Sequence, residues 1–257
     1  MADQRRFFEP PSVVQVLDTE FASGLGGEYD YVLMGTGYRA HPLNEDVEDR
    51  FYAFRDTHIN GMTAKTGSNL AANYPKTPAS GDEGIPIGHS IPNELVNITT
   101  RTLEDAVAAS VNVDDALGWF FDFNQSNTDA SSIVTEPGEK VLSAPITIAG
   151  TVFFTTFVPT EDSSASGDTC AVPQIGSGRA YNLDILTTKA TVDWQGDNND
   201  ITGRTKTLGG GIPSDVVPVF TKEGVVGIVG VEGGATQLGG LAGLPRFRTY
   251  WYEESGS

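Results

Sequence analysis

The sequence has few of the side chains that most often bind metals, form disulfides or attack substrates. Among 257 residues there are one cysteine and three histidines. Cys170 has no partner for an internal disulfide, so its state is left open. The histidines, His41, His58 and His89, have neither helical pairing nor cysteine or glutamate neighbours at zinc-ligand spacing. We therefore predict no zinc site, no catalytic set and no enzyme.

Basic side chains and long hydrophobic runs are also scarce. There are 16 lysines and arginines against 34 acidic residues, a net charge of −18, which argues against nucleic acid and anionic membranes as partners. The longest apolar run, residues 225–231, is far shorter than the ~20 residues of a membrane span. Residues 1–11 lack the apolar segment of a signal peptide. The chain is expected to be either cytoplasmic or part of a longer exported protein.

Glycine and proline are plentiful, with 30 and 14 copies, and both are unfavourable inside helices. Apolar and aromatic strand-like runs recur in three irregular copies, as expected of a mainly β fold with quinoprotein-type propeller blades. We predict one partial β-propeller domain over residues 1–257, forming an incomplete ring. The first blade covers about 5–56, a loop and helical insertion about 57–136, and the remaining blades about 137–253. The predicted strands are residues 11–16, 31–34, 51–56, 143–148, 152–157, 179–184, 213–219, 225–231 and 248–253.

The insertion is predicted to contain a short helix and a returning strand. Thr102 and Asp105 have capping-box spacing before Leu103, Ala106 and Val107, and a second short turn is expected over residues 114–117. The aromatic run at residues 118–123 is predicted to return to the sheet. Polar residues 161–168 and 195–207 are predicted to be mobile loops at blade ends.

Two motifs suggest ligands but are more simply interpreted as turns. Gly35-Thr-Gly37 follows a strand as a phosphate-binding loop would, yet Pro42 and an acidic stretch follow where a helix is required. Asp193, Asp197 and Asp200 are weak calcium candidates, because their spacing does not fit an EF-hand. The acidic run at residues 44–49 is a weaker one. Carboxylates that close the aromatic strands are expected to accept backbone hydrogen bonds at turns.

Eight short motifs, in order along nearly the whole chain, resemble the C-terminal β-propeller of the PilY/PilC family of type IV pilus biogenesis factors and tip adhesins. Each motif is weak alone, and their joint order and spacing carry the resemblance. They are Arg5-Arg-Phe-Phe8 with Pro11, Gly35-Thr-Gly-Tyr-Arg39 with Pro42, Asp49-Arg-Phe-Tyr-Ala-Phe-Arg-Asp56, Gly118-Trp119, Gly138-Glu-Lys-Val-Leu-Ser143, Phe154-Thr-Thr-Phe-Val-Pro159, Gly176-Ser-Gly-Arg-Ala-Tyr-Asn-Leu-Asp184 and Gly209-Gly-Gly-Ile-Pro213.

The resemblance implies a non-enzymatic protein, extracellular or on the cell surface at the pilus tip, that supports pilus assembly, adhesion and twitching motility. The implied partners are minor pilins or the pilus tip, together with the missing N-terminal part of the propeller as another chain. No cofactor is evident. The calcium loop of the family is expected upstream of Arg5, outside this chain.

Two other classes of function stay open on the sequence. A quinoprotein-like propeller enzyme shares aromatic strands ending in Tyr-x-Leu-Asp, but Trp119, Trp194 and Trp251 are few for enclosing a cofactor. A carbohydrate-binding β module is suggested by aromatic content but by no specific motif. The adhesion target and the partner pilin cannot be inferred from these residues.

Overall fold

A computed structural model describes residues 5–18, 27–56, 95–109, 116–123, 136–159, 176–222 and 224–242. Three sheets, antiparallel except for one pairing, and one short α-helix are present in the described chain, which confirms the mainly β class. The arrangement is consistent with a propeller-like domain. Within these ranges no helix is long and apolar enough to span a membrane.

The first sheet contains the three strands predicted for the first blade and two more. Its order is β1-β2-β3-β5-β4, with every pairing antiparallel except that of β4 with β5. The return strand predicted at residues 118–123 is confirmed as β5, whereas the short β4 was not predicted. The strands are β1 Ser12–Asp18, β2 Gly27–Gly35, β3 Arg50–Asp56, β4 Leu95–Asn97 and β5 Gly118–Asp122.

The second sheet has the order β10-β9-β8-β6, and β7 also pairs with β8. Its central strands, β8 (Thr151–Pro159) and β9 (Gly176–Asp184), pair over their full length and extend the strands predicted there. The remaining strands are β6 Lys140–Val141, β7 Ile146–Ile148 and β10 Thr205–Gly210.

The third sheet is a meander, β11-β12-β13. Val217–Phe220 forms β11, Gly224–Val231 forms β12 and Gly234–Ala242 forms β13. The strand predicted at 225–231 is confirmed, whereas only the C-terminal part of the one predicted at 213–219 forms a strand, because β11 begins at Val217. The predicted strand at 248–253 lies outside the described residues.

Each sheet buries a face against the next one, so the second sheet lies between the other two. One core combines aromatic side chains of the first sheet, such as Phe51 and Trp119, with Phe154 and Tyr181 of the second. The opposite face of the second sheet forms a smaller core with the third. This stacking follows from the period-2 alternation of the strands, which places apolar side chains on both faces of the central sheet.

The predicted capping box is confirmed. Helix α1 spans Leu103–Ala108; the Thr102 hydroxyl accepts the backbone N–H of Asp105, and the Asp105 carboxylate accepts the backbone N–H of Thr102. Leu103 and Ala106 are buried, but Val107 is 50% exposed, so only part of the predicted apolar stripe packs. Residues 114 and 115 of the second turn predicted at 114–117 lie outside the described residues.

One loop prediction is wrong at its C-terminal end. Residues 195–207 were expected to be a mobile polar loop, but Thr202–Arg204 forms a 3-10 helix and β10 begins at Thr205. Arg204 is fully buried, and its guanidinium donates to the carbonyl oxygens of Ile98 (2.8 Å) and Arg101 (3.0 Å). Burial lowers its pKa to about 9. Arg204 thereby holds the turn before α1 against the second sheet. The loop predicted at 161–168 is outside the described residues.

Candidate functional site: a buried polar junction

A group of ionisable side chains, most of them buried, lies where the first and second sheets meet. We call it the polar junction and define it by five residues. They are Asp49, Glu139, Lys140, Arg179 and Tyr181. All five belong to motifs quoted in the sequence analysis, so the structure shows which contacts these motifs make.

Glu139 is the centre of the polar junction and is fully buried just before β6. One carboxylate oxygen accepts the Tyr181 hydroxyl at 2.6 Å and the Thr156 hydroxyl at 2.7 Å. The other forms an ion pair with Arg179 at 2.7 Å. Because Thr156 lies on β8 and both Arg179 and Tyr181 lie on β9, a single carboxylate ties the β6 segment to two neighbouring strands.

Burial and charge shift the pKa values of this group in opposing ways. Burial raises the pKa of Glu139, while the Arg179 guanidinium and the Tyr181 and Thr156 hydroxyls oppose that rise. Burial and the adjacent carboxylate raise the pKa of Tyr181 well above its ordinary value, so Tyr181 stays a hydroxyl donor. The chemistry of the group is therefore that of a satisfied buried ion pair.

Lys140 reaches in the opposite direction, into the loop between β2 and β3. Its ammonium donates to the carbonyl oxygens of Pro42 (2.8 Å) and Asn44 (2.9 Å) and also to that of Gly138. Burial lowers its pKa, and the charges of Asp49, Glu45 and Glu139 oppose that shift. The acidic run considered as a cation site is thus held by a lysine of this chain.

Asp49 is buried at the end of the acidic run, whereas most of residues 44–48 are exposed. Its carboxylate accepts the Thr36 hydroxyl at 2.7 Å, and that hydroxyl accepts the backbone N–H of Arg50 at 2.8 Å. Burial raises the pKa of Asp49, and Thr36 opposes the shift. These contacts fix the turn after β2 to the start of β3.

The glycines of Gly35-Thr-Gly37 serve close packing. A Cβ atom on Gly35 would lie 2.4 Å from the Val141 side chain, and one on Gly37 would lie 2.3 Å from the Val141 carbonyl oxygen. No helix begins between residues 38 and 49, all of which are described. Gly35 ends β2 and Gly37 lies in the loop after it, so the motif brings β6 against the first sheet and is not followed by the helix that a dinucleotide site requires.

Two of the three weak calcium candidates use their carboxylates within their own turn. Asp193 accepts the backbone N–H groups of Gly196 and Asn198, and Asp197 accepts the Thr202 hydroxyl at 2.7 Å. Asp200 lies 3.3 Å from the Lys189 ammonium. Among the described residues no group of three or more metal-binding side chains converges. Calcium binding at this loop stays a prediction.

The remaining candidates are distributed across the fold. His41 packs on the Tyr38 ring at 4.8 Å, while His58, His89 and Cys170 lie outside the described residues. Trp119 is fully buried in the first core and donates to the Ile185 carbonyl oxygen at 3.1 Å. Trp251 is outside the described residues. Trp194 packs against the smaller core, so Trp119 and Trp194 lie in different cores.

The expectation about strand-closing carboxylates is confirmed at Asp184. Its side chain accepts the backbone N–H groups of Leu186 (3.0 Å) and Thr187 (2.8 Å). This is a turn contact of the kind that short acidic side chains form with nearby backbone. The acid at the end of β9 therefore stabilises the loop that leads to Lys189.

Sequence reasoning missed the central role of Glu139 and Lys140, although both were quoted within a motif. Their signal was the pair of adjacent charged residues after Gly138 and before an apolar run, a pattern equally typical of an exposed turn. Only the contacts with β8, β9 and the β2–β3 loop reveal that both side chains point into the protein.

No protein-family model matches the chain, and no curated protein matches it either. Among solved structures it is similar to the crystal structure of the Pseudomonas aeruginosa PilY1 C-terminal domain, at 13% sequence identity and a TM-score of 0.47. The similarity covers 90% of this chain and 44% of that one, so the chain spans less than half of the structure it matches. The assignment of function depends on the residues of this chain and not on that likeness.

Proposed function

We propose that the chain is a non-enzymatic module of a type IV pilus biogenesis factor and tip adhesin. It acts outside the cell, at the pilus tip, where it supports pilus assembly, adhesion and twitching motility. The observation that carries the proposal is the ordered series of motifs from Arg5 to Pro213, each weak alone and specific in combination.

The placement of these motifs supports a scaffold that works by binding. Glu139, Arg179 and Tyr181 satisfy one another, and Lys140 is engaged with backbone carbonyl oxygens. Gly35 and Gly37 allow the second sheet to approach the first. The first group ties strands of the second sheet together, and Lys140 and the two glycines hold that sheet against the first. Partner contacts are therefore assigned to the loops, which can vary while the strands are kept.

The exposed turn around Asp193 and Asp197 is one proposed contact region. Its acidic surface favours a basic or cation-bridged partner such as a minor pilin, and such a contact weakens with salt. Calcium would bind there or upstream of the chain. Calorimetric titration of the purified chain with calcium chloride tests the first alternative, with Asp197→Asn as the variant expected to abolish any heat of binding.

Deletion of the native gene tests the pilus proposal. We expect fewer surface pili and reduced twitching, and we expect pili to return when the retraction motor is also removed, since a tip factor shifts the balance between extension and retraction. Normal piliation and motility in the single deletion strain would contradict the proposal. An absorbance spectrum of the purified protein addresses the enzyme alternative, because a bound quinone cofactor would be visible there.

A further inference from the structure

Lys140 buries its ammonium group, whereas most lysines extend theirs into water. The residue is only 1% exposed. An ammonium has three N–H donors. In this chain they are matched by three carbonyl oxygens, those of Pro42 at 2.8 Å, Asn44 at 2.9 Å and Gly138. Two of these oxygens come from the loop between β2 and β3, residues 36–49, and the third comes from the turn before β6.

The oxygens around this ammonium are of the kind that surround a bound metal ion. The direct contacts are with neutral peptide groups. Asp49, Glu45 and Glu139 act on Lys140 through their charge, which opposes the lowering of its pKa by burial. Carbonyl oxygens that converge on one cation, with carboxylates nearby, are typical of calcium sites in protein loops. Lys140 therefore lies where a cation bound by this loop would lie.

The contacts suit an ammonium better than a metal ion. Calcium binds oxygen at about 2.3–2.6 Å and takes about six to eight ligands. The distances from the Lys140 ammonium to Pro42 and Asn44 are longer and are those of charge-assisted hydrogen bonds. Three carbonyl oxygens also match the donors of an ammonium and fall short of the ligand count of calcium. The chemical class that fits this site is therefore a primary ammonium.

Gly138 allows the loop between β2 and β3 to close over the site. Its φ of +73° is a backbone conformation that other residues rarely adopt. A Cβ atom there would lie 2.7 Å from the Glu45 side chain and 2.9 Å from Pro159. The loop therefore packs directly against the turn that leads to Lys140. Since the ammonium donates to both sides of this contact, it joins a loop of the first sheet to the second sheet.

We propose that Lys140 is the built-in cation of an ammonium-binding site and holds the loop between β2 and β3 in shape without a bound metal ion. The loop carries the exposed acidic side chains Glu45, Asp46 and Glu48, as a calcium-binding loop would. The cation in its interior is covalently attached to β6, so it does not dissociate when calcium is scarce. The shape of the loop is therefore independent of the calcium concentration.

Hydrogen exchange measured by mass spectrometry tests the proposal at the loop itself. The backbone N–H groups of His41 and Asn44 donate to the carbonyl oxygens of Tyr38 and His41, so their exchange reports the shape of the loop. In the wild type this exchange should be the same in calcium chloride and in EDTA. In Lys140→Ala it should be at least about tenfold faster, because three buried carbonyl oxygens lose their donor. Calcium-dependent exchange of these groups in the wild type would overturn the proposal.

Chemical rescue tests whether the site recognises an ammonium. The atoms that Lys140→Ala removes are those of propylammonium, which should slow loop exchange in that variant towards the wild-type rate. Sodium chloride at equal ionic strength controls for screening of the net charge of −18. Lys140→Met should not be rescued, because its side chain still fills the path of the lost stem. Lys189→Ala removes a surface lysine paired with Glu104 and, as the matched control, should leave loop exchange unchanged.

Failure of the rescue would overturn the proposal. That outcome is propylammonium acting no better than sodium chloride on Lys140→Ala. Rescue by calcium chloride alone would also overturn it, because the site would then be a metal site. If Lys140→Ala does not fold in buffer, circular dichroism follows its refolding with propylammonium present. Folding under that condition supports the proposal, and a variant that stays unfolded at every propylammonium concentration contradicts it.

Discussion

The two junctions between sheets are built differently. Between the first and second sheets, aromatic rings stack closely, Phe51 on Phe154 at 3.9 Å. On the face of the second sheet that meets the first, the fully buried Glu139 ties the β6 segment to Arg179 and Tyr181 of β9. Between the second and third sheets, mostly aliphatic side chains meet, and in the described residues that junction contains no buried ion pair. The buried side chains of this junction are Phe153, Ala180, Leu208, Val216, Val229 and Leu238.

This difference indicates how each junction determines its geometry. Hydrogen bonds to a buried carboxylate require specific partners at specific distances, and leaving one unpaired is costly. Apolar packing tolerates changes of shape at similar volume. The first junction should therefore depend on the identity of single residues, and the second on the total apolar volume.

Breaking the central ion pair should have the largest effect. Glu139→Gln keeps the volume but removes the charge that Arg179 pairs with, so we expect a loss of about 3 kcal/mol in the free energy of unfolding. The control is Glu104→Gln, which removes an ion pair of similar length with Lys189 (2.8 Å) at the surface and should cost below about 0.5 kcal/mol. Equal losses in urea denaturation of the two variants would contradict the distinction.

The close approach at Gly35 should be the next most sensitive feature. Gly35→Ala places a methyl group 2.4 Å from Val141, and relieving that overlap should cost about 2 kcal/mol. In the third sheet, Gly230→Ala meets only ordinary contacts with Ser214, starting at 3.4 Å, and should cost clearly less. Thermal unfolding of both variants checks this, and a more stable Gly35→Ala protein would show that β6 does not pack there.

A change of shape in the second junction should be tolerated. Leu238 is fully buried in the apolar core between the second and third sheets. Leu238→Met preserves most of the volume, so we expect a loss of about 1 kcal/mol or less. A loss in urea denaturation as large as that of Glu139→Gln would mean that this junction is equally specific.

The smallest expected effect is at the cap of α1 and depends on pH. The backbone N–H of Thr102 lowers the pKa of the Asp105 carboxyl below its ordinary value of 3.8. Its stabilisation is present above that value and is lost as the pH falls through the lowered pKa. Asp105→Ala should cost about 0.5 kcal/mol at pH 7, a modest value because the site is exposed. The difference from wild type should disappear near pH 2, and a difference that grows on acidification would contradict this account.

The sequence was sufficient for most strands and insufficient for the polar junction. Alternating apolar residues bounded by glycine or proline indicate where β2, β8 and β12 lie. The strand β10, with the sequence TKTLGG, has no such pattern, and the three residues of β4 are too few to show one. The partners of Glu139 come from residues 17 to 42 positions away, and spacing alone does not reveal pairings of that kind.

The central claim is that Glu139 forms a structural ion pair inside a binding scaffold. The most direct test uses a host whose native gene carries the Glu139→Gln substitution. Surface pili are counted at a temperature where circular dichroism shows the variant protein to be fully folded, and again above its unfolding midpoint. A structural role predicts wild-type piliation at the lower temperature and loss at the higher one. Loss of pili while the variant is fully folded would contradict the account and give Glu139 a direct part in the function.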